Sequence, residues 1–319
     1  MPPPVTAVLD AGAAWLPARL GETERLLEDT AAGHGAALGA DATATLNAGG
    51  KRLRPLLVLL CAGPGADAAA VRAAAAVELV HMATLVHDDV LDDAPLRRGR
   101  PTVVATSGRS GATATGDLLL SRAFGLLAAA GDADAVRLLS ETSVALARGE
   151  LAQRRDAFDL SLGRERYLER CRLKTARLFE CACLIGRPRR PGAELLQRYG
   201  SLVGLAFQLL DDVLDVTGPP ERTGKARGTD LLDGTVTLPL IEAAERDPEL
   251  RSLDLAELDQ AGAERACDRI AATGALESAR GEALAMVAEA KGLLDDVDLD
   301  VEERRLLGLV ADGVVERYS

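Results

Sequence analysis

Residues 79–92 read Leu79-Val80-His81-Met82-Ala83-Thr84-Leu85-Val86-His87-Asp88-Asp89-Val90-Leu91-Asp92, an apolar run that ends in three carboxylates. Working back to Ala68, the apolar residues Val71, Ala75, Leu79, Met82, Val86 and Val90 recur at spacings of three and four, the period of one face of an α-helix. On a helix, residues four apart share a face, so Asp88 and Asp92 point the same way. Carboxylates so placed repel each other and weaken the helix unless a cation lies between them.

The same period returns in 118–130, 137–154, 164–186, 194–216, 238–246 and 276–294, and no convincing alternating strand is found. The breaks at 63–65, 94–101, 106–111, 186–192 and 218–228 are rich in Gly, Pro or Arg and are short for linkers between domains. The expectation is an all-α chain: one large helical bundle over residues 1–319, with residues 1–10 disordered.

Composition agrees. Of the 319 residues 48% are hydrophobic and only 3% aromatic, and Ala and Leu favour helix over sheet. The net charge of −12 argues against binding nucleic acid or docking on anionic lipid. Five cysteines without a regular framework (Cys61, Cys171, Cys181, Cys183 and Cys267) read as reduced thiols of a cytoplasmic protein. Cys181 and Cys183 lack a second Cys/His pair and read as small core residues. The start, Met1-Pro2-Pro3-Pro4, has no signal-peptide pattern, and no apolar stretch approaches the about 20 residues of a bilayer span.

The acidic device occurs twice. Asp211-Asp212-Val213-Leu214-Asp215 follows the apolar run Val203–Leu210, as Asp88–Asp92 follows Leu79–Val86. One such cluster is readily a solvated helix end. Two of them, each closing an apolar helix, are hard to explain as ordinary surface. Oxygen-only ligands suit a hard cation such as Mg²⁺ that shares its shell with phosphates, and neither cluster has the alternating acids and central Gly of a calcium loop. Cations accompany them: Lys51, Arg52 and Arg54 in Gly49–Pro55, Arg97 and Arg98 past the first cluster, Lys174 beside Thr175, and Lys225 past the second. Singly each reads as a surface charge. Paired with the acidic clusters they suit phosphate, which Arg grips bidentately and Lys as a compact charge.

These residues resemble the trans-prenyl diphosphate synthase (polyprenyl synthetase) family. GGKRLRP (49–55), HDDVLDDAPLRRGRPT (87–102), Lys174-Thr175, FQLLDDVLD (207–215) and GKARGTDLLDGTVTLP (224–239) stand in the family's order and spacing, over about Gly49 to Pro239. The resemblance implies the isoprenoid synthase fold, a helical bundle around a central apolar cavity with the Asp-rich helices facing each other at its mouth. It implies that Asp88, Asp92 and Asp211 ligate Mg²⁺, three ions per site with substrate bound, while Asp89, Asp212 and Asp215 support them. An allylic diphosphate would be held by Arg97, Lys174, Thr175, Gln208 and Lys225, and isopentenyl diphosphate by Lys51, Arg54, His81 and Arg98. His81 stands two helical turns before Asp88, which puts it on the same face. The implied reaction is ionisation of the allylic diphosphate, attack by isopentenyl diphosphate and loss of a proton, with Asp88, Asp92, Asp211, Lys174 and Arg97 central to it. A homodimer is implied as well.

One position departs from the pattern: where many members carry Lys after Gly234, this chain has Thr235, so one expected cation at the allylic diphosphate is missing. Ala83 and Thr84, about one turn below Asp88, are small where short-chain members place an aromatic, and residues 149–153 (GELAQ) resemble the long-chain branch. A medium- to long-chain product is expected, with farnesyl or geranylgeranyl diphosphate as the starter. The alternatives are a farnesyl or geranylgeranyl diphosphate synthase and a weakly active subunit of a heteromeric synthase. A terpene cyclase is disfavoured by the intact second cluster and by GGKRLRP.

Overall fold

The structure, a computed structural model, describes residues 3–50, 52–97, 99–186, 191–218 and 226–316. Lys51, Arg98 and Lys225 lie outside the described residues. The chain is helical nearly throughout, as its periodicity predicts. The central helix, α5 (Ala68–Asp92), starts where the Asp67 carboxylate accepts the backbone N–H groups of Ala69 and Ala70 at 2.9 and 3.1 Å. It ends at Asp93, in the left-handed region with φ 51°, just ahead of Pro95, whose ring disfavours helix in the residue before it.

Four helices precede it: α1 (Pro3–Ala11), α2 (Leu16–Ala32), α3 (Ala36–Asn47) and α4 (Leu53–Ala62). Residues 3–10 are thus helical where disorder is expected. Val5, Val8 and Leu9 form an apolar stripe that is buried against the last helix, α16 (Val301–Glu316). So short an amphipathic segment carries little signal in sequence and owes its order to that packing. After α5, Leu96–Arg97 and Arg100–Pro101 pair as a two-residue antiparallel ladder. There follow α6 (Val103–Ala129) and α7 (Ala133–Arg155), and the break expected near 106–111 proves to be a kink in α6 at Gly108, with φ 70°.

The next stretch positions the site. It comprises α8 (Arg164–Cys171), a π-helical turn (Arg172–Ala176) and α9 (Arg177–Gly186), and it lies against α10 (Ala193–Thr217). The close approach depends on two glycines one turn apart. A Cβ on Gly200 would come within 2.9 Å of the Phe179 carbonyl oxygen, and one on Gly204 within 2.7 Å of Ala176 Cα. The remaining elements are α11 (Thr229–Leu232), α12 (Leu238–Arg246), α13 (Pro248–Arg251), α14 (Gln260–Ala272), α15 (Ala275–Leu293) and α16.

By length and composition α5 could cross a membrane, contrary to the expectation that no stretch approaches that length. With 72% of its most apolar window buried, it is the core helix, packed on α2, α4, α6 and α9. All five cysteines are buried free thiols.

Candidate active site

Helices α5 and α10 bring the first acidic cluster and Asp212 of the second to one polar cavity of about 190 Å³, while Asp211 lines another. Asp88 and Asp92 line it from α5, Gln208 and Asp212 from α10, and Lys174 and Thr175 from the π-turn, with Arg97 and Thr235 also in its wall. The π-turn itself could not be read from the sequence, since residues 164–186 keep a helical period across it. Such single turns are frequent at functional sites, where they re-aim side chains.

The cations are held by carboxylates. Arg97 Nε donates to Asp89 Oδ1 at 2.8 Å, so Asp89, at 5% exposure, supports the cavity from behind. Lys174 Nζ lies 2.5 Å from Glu150 Oε2. Arg154 donates to Asp92 and, through Nε, to Glu150 Oε1 at 3.0 Å. Burial on its own would raise Glu150, but Lys174 and Arg154 together hold it below the usual carboxylate range. Asp88 is the reverse case. Burial pushes its carboxyl up to about 6, assisted by Glu150 and Asp92 and opposed by Lys174 and Arg97.

Asp212 belongs to a relay across the helices. Thr175 Oγ1 donates to Gln208 Oε1 at 2.8 Å, Gln208 Nε2 to Asp212 Oδ1 at 2.8 Å, and the buried Tyr167 hydroxyl to Asp212 Oδ2 at 2.6 Å. Burial and the nearby charge of Asp230 push Asp212 up to about 8, against the pull of those two hydrogen bonds. Asp215 Oδ2 accepts the backbone N–H of Asp230 at 3.2 Å.

A second cavity, about 390 Å³ and mostly apolar, starts at Asp88 and Lys174 and runs along α5 past His87, Thr84, Ala83 and Val80, with Leu120, Leu146 and Leu151 opposite. The two small residues below the acidic cluster therefore do line an open space. A third cavity of about 530 Å³ gathers Gly49, Gly50, Arg54, His81, Phe207 and Asp211. There the Arg54 guanidinium lies 4.7 Å from the Phe179 ring centroid.

Two details go beyond the sequence reading. His81 and Asp88 line different cavities: two turns put them on one face but about 10 Å apart along α5, so each meets different neighbours. Arg52, in the left-handed region at φ 48°, is tied to Glu24 at 2.6 Å and Glu78 at 2.9 Å and lines the third cavity beside Arg54. Residues the sequence reading passed over are Glu150, Arg154, Tyr167, Arg170, Asp230 and Asp233, all at or beside the polar cavity. Asp230 and Asp233, one turn apart and just past the second cluster, had a legible spacing.

The family model described as "Polyprenyl synthetase" matches residues 37–272. Heptaprenyl diphosphate synthase component 2 of Geobacillus stearothermophilus is 44% identical over 65% of this chain and 66% of its own length. Geranylgeranyl diphosphate synthase of Methanosarcina mazei is 37% identical over 85% of this chain and 87% of its own. The crystal structure of a polyprenyl synthase from Caulobacter crescentus, complexed with calcium and isoprenyl diphosphate, superposes with a TM-score of 0.90 at 35% identity, covering 99% of this chain and 98% of that one. The chain belongs to the polyprenyl synthetase family, the all-α prenyltransferases that build polyprenyl diphosphates.

Proposed function

We propose that this enzyme joins isopentenyl diphosphate to an allylic prenyl diphosphate, giving a longer all-trans polyprenyl diphosphate and pyrophosphate. The observation that carries this reading is the shared wall of two cavities. Asp88 and Lys174 line both the polar cavity and the apolar one, so an allylic head and its hydrocarbon tail have adjoining places. Arg54 and His81 in the third cavity suit isopentenyl diphosphate.

The donor set fits magnesium. Asp88, Asp92, Asp211, Asp212 and Asp215 offer oxygen only, and burial leaves Asp88 short of countercharge. Among the described residues no three or more His, Cys, Asp or Glu side chains are grouped to enclose an ion by themselves. Magnesium takes one or two carboxylates and completes its shell with water and substrate phosphate. We assign Asp88, Asp92 and Asp211 as ligands of three ions, with Asp89, Asp212 and Asp215 in support. When bound, magnesium supplies positive charge that stabilises the diphosphate as the allylic C–O bond ionises. Lys174 and Arg97 add fixed charge, each held in place by a carboxylate, so little reorganisation accompanies reaction. Thr175 is oriented through Gln208. The isopentenyl double bond attacks the allylic carbon, and the released pyrophosphate takes the proton lost.

The open space at Ala83 and Thr84 favours a medium- to long-chain product. The core, continuous from Val5 to Val314, supports one catalytic unit over residues 1–319. Exposed Val144 and Leu151 on α7 support a homodimer, and the reduced thiols support a cytoplasmic setting. Similarity to a protein named as component 2 favours a second reading, a subunit that needs a different partner. The test is turnover by the purified chain alone, with geranyl, farnesyl and geranylgeranyl diphosphate supplied in turn beside radiolabelled isopentenyl diphosphate. Elongation supports the first reading. Activity that appears only on adding a second protein supports the other.

A further inference from the structure

Arg170 is unlike the other cations of the polar cavity. Arg97, Arg154 and Lys174 each pair with a carboxylate there: Asp89, Asp92 and Glu150, respectively. Arg170, one turn before Lys174, is only 4% exposed and lines the same cavity, yet it has no carboxylate partner among the described residues. Its guanidinium carbon lies 5.4 Å from the Tyr167 ring centroid, and one terminal nitrogen, Nη2, donates to the Val236 carbonyl oxygen at 2.6 Å. The other, Nη1, is buried without a hydrogen-bond partner among the described residues.

A buried guanidinium is always charged, and burying it unpaired is costly unless an anion completes the site. The carbonyl that anchors it belongs to the residue after Thr235, where the family pattern leads one to expect a lysine. The cation lost from that position therefore has a counterpart beside it, delivered from α8. We propose that Arg170 is a diphosphate-binding residue of this enzyme, supplying to the allylic diphosphate the charge that Thr235 does not. The proposal rests on the prenyltransfer reading above. Nη1 donates to a phosphate oxygen, while Nη2 and the Tyr167 ring fix the guanidinium plane.

The test compares the full-length enzyme with Arg170→Gln, which keeps an N–H for Val236 but removes the charge, with Arg170→Met, and with the double variant Arg170→Gln/Thr235→Lys. KM for farnesyl diphosphate and for isopentenyl diphosphate are measured separately, and thermal melting verifies that each variant is folded. Loss of one charge-assisted hydrogen bond is expected to raise KM for farnesyl diphosphate by roughly tenfold to a hundredfold. KM for isopentenyl diphosphate should stay within about twofold, and the double variant should recover most of the loss. A folded Arg170→Gln enzyme with unchanged KM for farnesyl diphosphate, or with both KM values raised alike, overturns the proposal. Should the unaltered enzyme fail to elongate, the prenyltransfer reading falls and the role of Arg170 is still decided by calorimetric titration with magnesium and pyrophosphate. A roughly tenfold weaker affinity in Arg170→Gln supports it, and equal affinity overturns it.

Discussion

The Lys174 ammonium sits 2.5 Å from the Glu150 carboxylate, bridging the π-turn to α7 at the border between the polar and apolar cavities. The bridge depends on the neighbour of Glu150. A Cβ on Gly149 would come within 2.5 Å of the Lys174 backbone nitrogen and 2.8 Å of its Cα, so any larger residue forces the two elements apart. Gly149→Ala should destabilise the enzyme by about 1–3 kcal/mol through overpacking and displace Lys174 from Glu150, lowering turnover if Lys174 serves the reaction as proposed. Thermal melting together with kcat is the check, and the two should fall together.

The length of the apolar cavity below Asp88 should limit the product. Ala83 is 1% exposed and lines that cavity. Ala83→Phe should place a ring across it and move the longest product down by one or more isoprene units, with the first condensation largely retained. Reverse-phase chromatography of the dephosphorylated products reads this directly.

In metal-free protein the two buried carboxyls set the pH dependence of stability. Asp88 is raised from 3.8 to about 6, and Asp212 from 3.8 to about 8. The folded state then holds protons that the unfolded chain releases. Their stabilising contribution is complete below about pH 4 and is lost as pH rises through about 6 and then about 8. In EDTA, Tm should fall between pH 5 and pH 8. Asp88→Asn should remove part of that fall while lowering magnesium-dependent turnover by roughly a hundredfold or more.

Tyr167→Phe removes one of the two donors to Asp212. A buried acceptor left short of a partner costs about 1–3 kcal/mol. With that hydrogen bond gone, the Asp212 carboxyl holds its proton to still higher pH. In EDTA the upper part of the fall in Tm should therefore move to higher pH, which melting curves recorded across pH read directly.

Much of this architecture was legible in the sequence, for identifiable reasons. Helices α5, α10 and α15 announce themselves because long helices keep an unbroken apolar period, as Val71 to Val90 do. The two acidic clusters were legible because chemistry requires carboxylates where an apolar helix would not otherwise place them. What was hidden depends on tertiary contact. α1 packs against α16, and the different cavities that His81 and Asp88 line are set by the elements around α5. The π-turn at 172–176 leaves no mark on the hydrophobic period. Arg170 looked like one more charge in Arg164–Arg172, since burial beside Val236 links residues 66 positions apart.

The paired acidic clusters are proposed to act with magnesium on an allylic diphosphate above the apolar cavity. This is tested most directly by incubating the purified chain with farnesyl diphosphate and radiolabelled isopentenyl diphosphate, with magnesium or with EDTA, and sizing the products. The expected result is polyprenyl products beyond geranylgeranyl length with magnesium and none with EDTA. Elongation that persists in EDTA would contradict the mechanism, and products that stop at geranylgeranyl length would contradict the role given to the open space at Ala83 and Thr84.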